Sequence, residues 1–178
     1  MSKARPGAPR KLLRTDNRDA FASGAEELDE WLRKYAFQNQ RANSAVIYVS
    51  CDGNSVVGYY AIAVGAVAKQ GAPPAITKGG RSDIPCVLLA RLAVDKRYQG
   101  TGLGTGLLQD ALKRSVLVSE SVGAMAVLIH ARDAAARSFH DRHVDAHPSP
   151  LDDLQPMIPM KALRAEFAEF LRGPLSTD

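Results

Sequence analysis

Cysteine is nearly absent from this chain. Of 178 residues only Cys51 and Cys86 carry thiols, and no Cys-x-x-Cys spacing joins them. A disulfide framework, a thiolate zinc site and a dithiol redox motif are therefore excluded, and two idle thiols in a reducing compartment fit best. No apolar stretch approaches the roughly 20 residues of a membrane span. The first residues contain no apolar core of a secretory signal, so the expected location is the cytoplasm, with no membrane partner. A Walker phosphate loop is excluded as well, because it needs a lysine after its last glycine, and none follows Gly104 or Gly106. The dinucleotide fingerprint Gly-x-Gly-x-x-Gly fails too, since position 107 is leucine. There is one tryptophan, Trp31; at helical spacing it is either core or a wall of a cleft.

Within these limits the chain is long enough for one domain with a proper core. A hydrophobic content of 46% is that of an ordinary globular protein. The net charge of +4 is unevenly spread: residues 1–18 sum to +5 and the remainder to −1. Such a basic arm suits nucleic-acid phosphates, or it is a solvated tail around Pro6 and Pro9. Arg81, Arg91, Lys96, Arg97, Lys113 and Arg114 are candidates for a local positive groove.

The most informative stretch is residues 88–108. An apolar run through Leu92, Ala93 and Val94 leads into Gln99-Gly100-Thr101-Gly102-Leu103-Gly104, and a helical apolar pattern follows at once. This is strand, loop and helix, with the loop stripped of side chains. Amide N–H groups of such a loop converge at a helix N-terminus, where the dipole adds positive character. A phosphate or pyrophosphate is the matching ligand; a glycine-rich turn with no ligand is the alternative.

The rest of the chain reads as alternating elements. Residues 25–41 have helical periodicity, with acidic Glu26, Glu27, Asp29 and Glu30 in the first turn. Residues 45–51 read as a strand, Asp52-Gly53-Asn54 as a hairpin turn, and 56–67 as a second strand that bends near Gly65. Residues 69–84 are a loop. The central strand spans 86–94 after Pro85, and the following helix spans about 102–119. Residues 124–131 are a buried strand, Asp133 caps a helix from 134 to about 142, 155–161 is a short last strand and 163–171 a helical tail. The order predicts an α/β fold with a mixed central sheet flanked by helices.

The arrangement Gln99-x-x-Gly102-x-Gly104, after Ala90-Arg91-Leu92-Ala93-Val94-Asp95, resembles the acetyl-CoA loop of the GCN5-related N-acetyltransferases (GNAT family). The likeness extends over roughly residues 12–162. The segment from Phe21 to Leu32 and Val57-Gly58-Tyr59-Tyr60-Ala61 are similar to the branch made up of toxins of bacterial toxin–antitoxin pairs. The resemblance implies the GNAT fold in a single domain at 12–162, with a flexible basic arm at 1–11 and a C-terminal helix and tail at 163–178. It implies acetyl-CoA as co-substrate, with the pyrophosphate on Gln99, Gly100, Thr101, Gly102, Leu103, Gly104 and Thr105. The pantetheine arm falls to Leu92, Ala93 and Val94, and Asp133 joins the cofactor-binding set. It further implies acetylation of the free amino group of aminoacyl-tRNA, which blocks translation, with Arg91, Lys96 and Arg97 as tRNA contacts. A ribbon-helix-helix antitoxin and a homodimer are the implied partners. A transferase for small-molecule or protein amines, and an acyl-CoA-binding module without turnover, stay open.

Acetyl transfer needs a neutral amine, a polarised thioester oxygen and a proton donor for the departing thiolate. Family members commonly carry Asn or Asp, Ala three residues on, and then a Phe-Tyr or Leu-Tyr pair. This chain reads Asp133, Ala136, Phe139, His140, so histidine stands where the family has tyrosine. A histidine can donate near neutral pH, and His140 is the candidate acid. Its alternatives are a spectator imidazole and a weakened enzyme. His140, His143 and His147 share helical spacing that would suit zinc, but the Pro148 turn breaks the helix first, and no metal is expected. Tyr98 either stacks on an adenine or packs.

Overall fold

In the computed structural model, residues 5–77 and 82–172 are described. Lys3 of the basic arm and Arg81 of the suggested groove lie outside them. The chain forms two compact units, residues 5–63 with 89–111, and residues 64–77 and 82–88 with 112–172. Strands β3 (Ser55–Ala68) and β4 (Asp83–Val94) and helix α4 (Leu103–Ser121) each begin in one unit and end in the other. The fold class is α/β, a mixed six-stranded sheet flanked by helices.

In the first unit the strand order is β1-β2-β3-β4. β1 (Arg10–Lys11) pairs antiparallel with β2 (Val46–Asp52), Arg10 opposite Val49 and Lys11 opposite Tyr48. These two residues belong to the stretch read from sequence as a free arm. A two-residue strand is too short for any alternation to announce it. β2 and β3 form an antiparallel hairpin closed by Asp52 opposite Ser55, with Gly53 at φ +60° where a side chain would be strained. The expected single helix over 25–41 is two helices, α1 (Glu26–Lys34) and α2 (Ala36–Arg41), separated at Tyr35, whose φ of −120° leaves the helical region. Asn43, at φ +57°, ends α2 in the left-handed conformation that asparagine tolerates. Leu32 and Ala36 sit fully buried with Phe21, Ile47, Tyr59 and Ala93 in one apolar cluster. Gln40 stitches β2 to the segment after β1, donating to the Leu12 carbonyl and accepting from the Ile47 amide.

In the second unit the order is β3-β4-β5-β6. β5 (Ala126–Ile129) is buried at every position, as an uninterrupted apolar strand should be. It pairs antiparallel with β6 (Met157–Pro159). β4 starts at Asp83 rather than at 86, because the Pro85 carbonyl still accepts a bond from the Met125 amide (2.8 Å) although proline donates none. A short helix, α3 (Pro74–Thr77), lies within the expected loop. Helix α5 (Ala134–His143) starts at the Asp133 cap. β6 ends at Pro159, and α6 (Met160–Glu166) and α7 (Ala168–Leu171) follow, separated at Phe167. Ile84, Cys86, Leu128 and Met157 form the buried cluster of this unit.

Gly58 sets how closely the start of α4 approaches β3. A Cβ there would meet Leu107 Cδ1 at 2.9 Å and Leu103 Cδ2 at 3.1 Å. Replacing Gly58 by valine should therefore cost about 1–3 kcal/mol of stability by overpacking. The measurement is a urea titration, with a lower midpoint and an unchanged slope.

Candidate active site

The glycine loop grows directly out of β4. Asp95 caps a single 3-10 turn over Lys96–Tyr98, accepting from the Arg97 amide. Gly100 and Gly102 then adopt φ of +76° and +90°, and α4 begins at Leu103. Positive φ at alternate positions turns successive peptide groups, a conformation open to glycine and closed to most side chains. A Cβ at Gly100, Gly102 or Gly106 would meet nothing within 4 Å, so the outer side of the loop is open. Gly104 and Thr105 lie in the first turn of α4, whose leading N–H groups lack helical acceptors. A glycine loop leading into a helix N-terminus fits a pyrophosphate. The preceding strand brings Leu92 and Val94, both half-buried, beside this loop, with Ala93 buried between them.

Side-chain hydrogen bonds fix the loop and the turn before it. Gln99 Nε2 donates to the carbonyls of Ser23 (2.8 Å) and Val94 (2.9 Å). Thr101 Oγ1 donates to the Tyr98 carbonyl, and the Tyr98 hydroxyl donates to Asp52. Tyr98 is thereby buried as packing. The Asp95 carboxylate accepts from the Ala22 amide (3.1 Å) and from Arg97 Nε (2.9 Å). Burial alone would raise the Asp95 carboxyl, but the hydrogen bonds from Arg97 and Ala22 outweigh it and hold it below its ordinary value. Asp29 takes the next turn of the same segment, accepting from the Ser23 amide and hydroxyl. The strap before α1 is thus held to the turn before the loop by Asp95 and to α1 by Asp29. Sequence reasoning missed this role for Asp29 and Asp95, whose partners are 6 and 73 residues away.

Of the candidate substrate cations, Arg91 lies with its guanidinium 4.4 Å above the Trp31 ring. Trp31 in turn stacks on Tyr59 at 6.1 Å, and the Tyr59 hydroxyl donates to the Leu28 carbonyl (2.7 Å). Trp31 is therefore both a partner of the core and a platform for a cation, and this pairing was not legible from either residue alone. Arg97 is paired with Asp95 (2.9 Å) and Lys96 is exposed.

Asp133 and His140 lie in the second unit, at the N-cap and in the second turn of α5. Asp133 Oδ1 accepts from the Ala136 amide (2.8 Å) and Oδ2 from Arg132 (2.7 Å), so its carboxylate serves the helix end. His140 is 5% exposed and Nδ1 has no hydrogen-bond partner among the described residues. Burial pushes its imidazole down to about 4. It is therefore neutral at pH 7, able to donate one N–H but not to hold a second proton. His147 is off this helix, bridged to Met157. Among the described residues no group of three or more histidine, cysteine or carboxylate side chains is placed to hold a metal ion.

Comparison with known proteins follows the same lines. The model of the Acetyltransferase (GNAT) family matches residues 10–144. A tRNA-acetylating toxin of Mycobacterium tuberculosis is 42% identical over 158 residues, 89% of this chain and 95% of that protein. A probable toxin TacT of Sinorhizobium fredii is 26% identical, covering 91% and 98%. Among solved structures, AtaT complexed with acetyl-methionyl-tRNAfMet superposes with a TM-score of 0.82 at 23% identity, over 90% of this chain and 98% of that one. An AtaT mutant bound to the C-terminus of the antitoxin AtaR and acetyl-CoA gives 0.77 at 23% identity, covering 90% and 97%.

Two kinds of buried group set the response to acid. The Asp95 carboxyl lies below its ordinary value, and so does that of Asp16 through the Arg10 hydrogen bond. Each contributes stability above the unfolded carboxylate pKa of about 3.9 that is lost as pH falls through the folded value. His140 works over a higher window. Its folded value of about 4 lies below the ordinary 6.5, so the unfolded chain takes up the proton first, and stability declines from about pH 6.5 to about 4. Urea midpoints should fall across that window in the wild type, and the fall should shrink in His140→Phe. An identical slope in both would contradict the assignment.

Proposed function

We propose, for a chain that belongs to the acetyltransferase (GNAT) family, that it moves the acetyl group of acetyl-CoA to the free amino group of an aminoacyl-tRNA and so acts as a translation-blocking toxin. The chain is an acetyl-CoA-dependent N-acetyltransferase. The observation that carries the acceptor assignment is the 42% identity, across 89% of the chain, to a protein named for acetylating tRNA. AtaT, which shares the fold, is known bound to acetyl-methionyl-tRNAfMet, which agrees with that acceptor.

Bound acetyl-CoA supplies an activated thioester. The chain's own groups supply the rest. The amides from Gly100 to Thr105 hold the pyrophosphate, with the start of α4 adding its dipole. The edge of β4 at Leu92 to Val94 aligns the pantetheine arm, and a backbone N–H near Val94 polarises the thioester oxygen. The acceptor amine attacks as the neutral base, so it must lose its proton to solvent or to a nearby group before the C–N bond forms and the C–S bond breaks.

His140 is assigned to the departing sulfur on three grounds. It stands seven residues after Asp133, where the family has tyrosine; it is buried; and Nδ1 is unpartnered. Being neutral, it acts by donating its N–H to the thiolate rather than by carrying an extra proton. Arg91 on Trp31, with Lys96 and Arg97, is assigned to the phosphates near the acceptor end of the tRNA. Asp133 acts on the donor site by fixing the start of α5.

The same reading includes a ribbon-helix-helix antitoxin and a homodimer. AtaT is bound by the antitoxin AtaR in its complex, which supports a protein antitoxin here. None of the described helices is long and apolar enough to cross a membrane, and the cytoplasm is the proposed location.

The test mixes purified chain, radiolabelled acetyl-CoA and charged tRNA. Label should appear on the aminoacyl group, and His140→Phe should lower kcat by about 100-fold with KM for acetyl-CoA little changed. Label on polyamines or proteins with tRNA untouched would overturn the acceptor assignment. An unchanged kcat in His140→Phe would overturn that of the acid.

A further inference from the structure

A cavity of about 620 Å³ lies in the first unit between the N-terminal segment and the glycine loop. One side is formed by Arg5 to Pro9, the other by Thr101, Gly102 and Gly106. The segment is anchored at its back. The Gly7 amide donates to the Cys51 carbonyl (2.9 Å), and Arg10 makes a bidentate pair with Asp16 (2.8 and 2.9 Å). Pro6 and Pro9 lower the entropy of holding it extended. Arg5 lies beyond these anchors, exposed, and among the described residues it has no carboxylate partner, unlike Arg10 and Arg97. Ser50 also lines the cavity, and its hydroxyl, on a side chain fully buried, has no hydrogen-bond partner among the described residues.

We infer that the N-terminal segment is part of the donor site: Arg5 to Pro9 clamp the phosphorylated nucleotide end of the coenzyme against the glycine loop, with Arg5 as counter-charge to its phosphates. The inference rests on the loop being the pyrophosphate site. Its argument is charge and place. Loop amides neutralise a pyrophosphate only in part, and an anion seated on Gly102 and the start of α4 faces the cavity that Arg5 borders. A guanidinium matches phosphate geometry with two parallel hydrogen bonds. Pro6, Leu103 and Leu107 add apolar wall that suits the flat face of a base, beside the Ser50 hydroxyl.

The experiment is calorimetric titration of the full chain and of Arg5→Ala, each with coenzyme A and with pantetheine, which has no phosphate. Arg5→Ala should bind coenzyme A roughly tenfold more weakly, bind pantetheine as the wild type does, and unfold at the same temperature. Arg5→Lys should fall between. Equal affinity of wild type and Arg5→Ala for coenzyme A would overturn the inference. So would an equal loss for pantetheine, or a loss of tRNA binding with coenzyme binding intact. Failure of the underlying site reading looks different, since the wild type itself would then show no heat with coenzyme A.

Discussion

Two backbone angles, φ of +76° at Gly100 and +90° at Gly102, are what the donor site depends on. They turn the peptide groups between β4 and α4 at the point where the helix dipole begins, the backbone form that suits an anion-binding loop. The neighbouring side chains serve this geometry and do not replace it. Gln99 ties the loop to Ser23 and Val94, Thr101 closes onto Tyr98, and Asp95 joins the 3-10 turn to Ala22. A site made of main chain asks little of residue identity elsewhere, so the fold is shared at 23% identity with AtaT.

The other half of the proposed chemistry is assigned to α5, where histidine stands at the position the family resemblance gives to tyrosine. A tyrosine hydroxyl reaches a sulfur by length, whereas a histidine is shorter and is here buried and uncharged. Burial that withholds a second proton from His140 leaves it able to donate a hydrogen bond at neutral pH. In the proposed reaction the thiolate takes its final proton from water or from the acetylated amine as that group sheds its charge. The residue proposed for the acceptor side is held by a different device. The Arg91 guanidinium lies over Trp31, and the indole beneath is itself stacked on Tyr59.

How much of this was legible in the sequence follows from the range of each interaction. The glycine loop and the Asp133 cap are local signals, set by φ preferences and by one side chain reaching its own backbone three residues on, and both stand where they were read. The break at Tyr35 was not legible because the apolar face runs on through it to Ala36 and Phe37. β1 escaped notice for its length, and the true start of β4 because Pro85 looks like a boundary although its carbonyl stays in the ladder. The carboxylate clamps of Asp29 and Asp95 and the stack of Arg91 on Trp31 join residues that only the folded chain makes neighbours. The basic arm was read as a tail or a nucleic-acid contact; Arg10 of that arm pairs with Asp16, and Arg5 lines the cavity beside the loop.

The most direct measurement is amide chemical-shift mapping of the isotope-labelled chain as coenzyme A is added. Hydrogen bonding to phosphate oxygens should move the amide protons of Gly100 to Thr105 downfield more than any others in the chain. Saturable binding with those signals unmoved, and the largest changes elsewhere, would contradict the account.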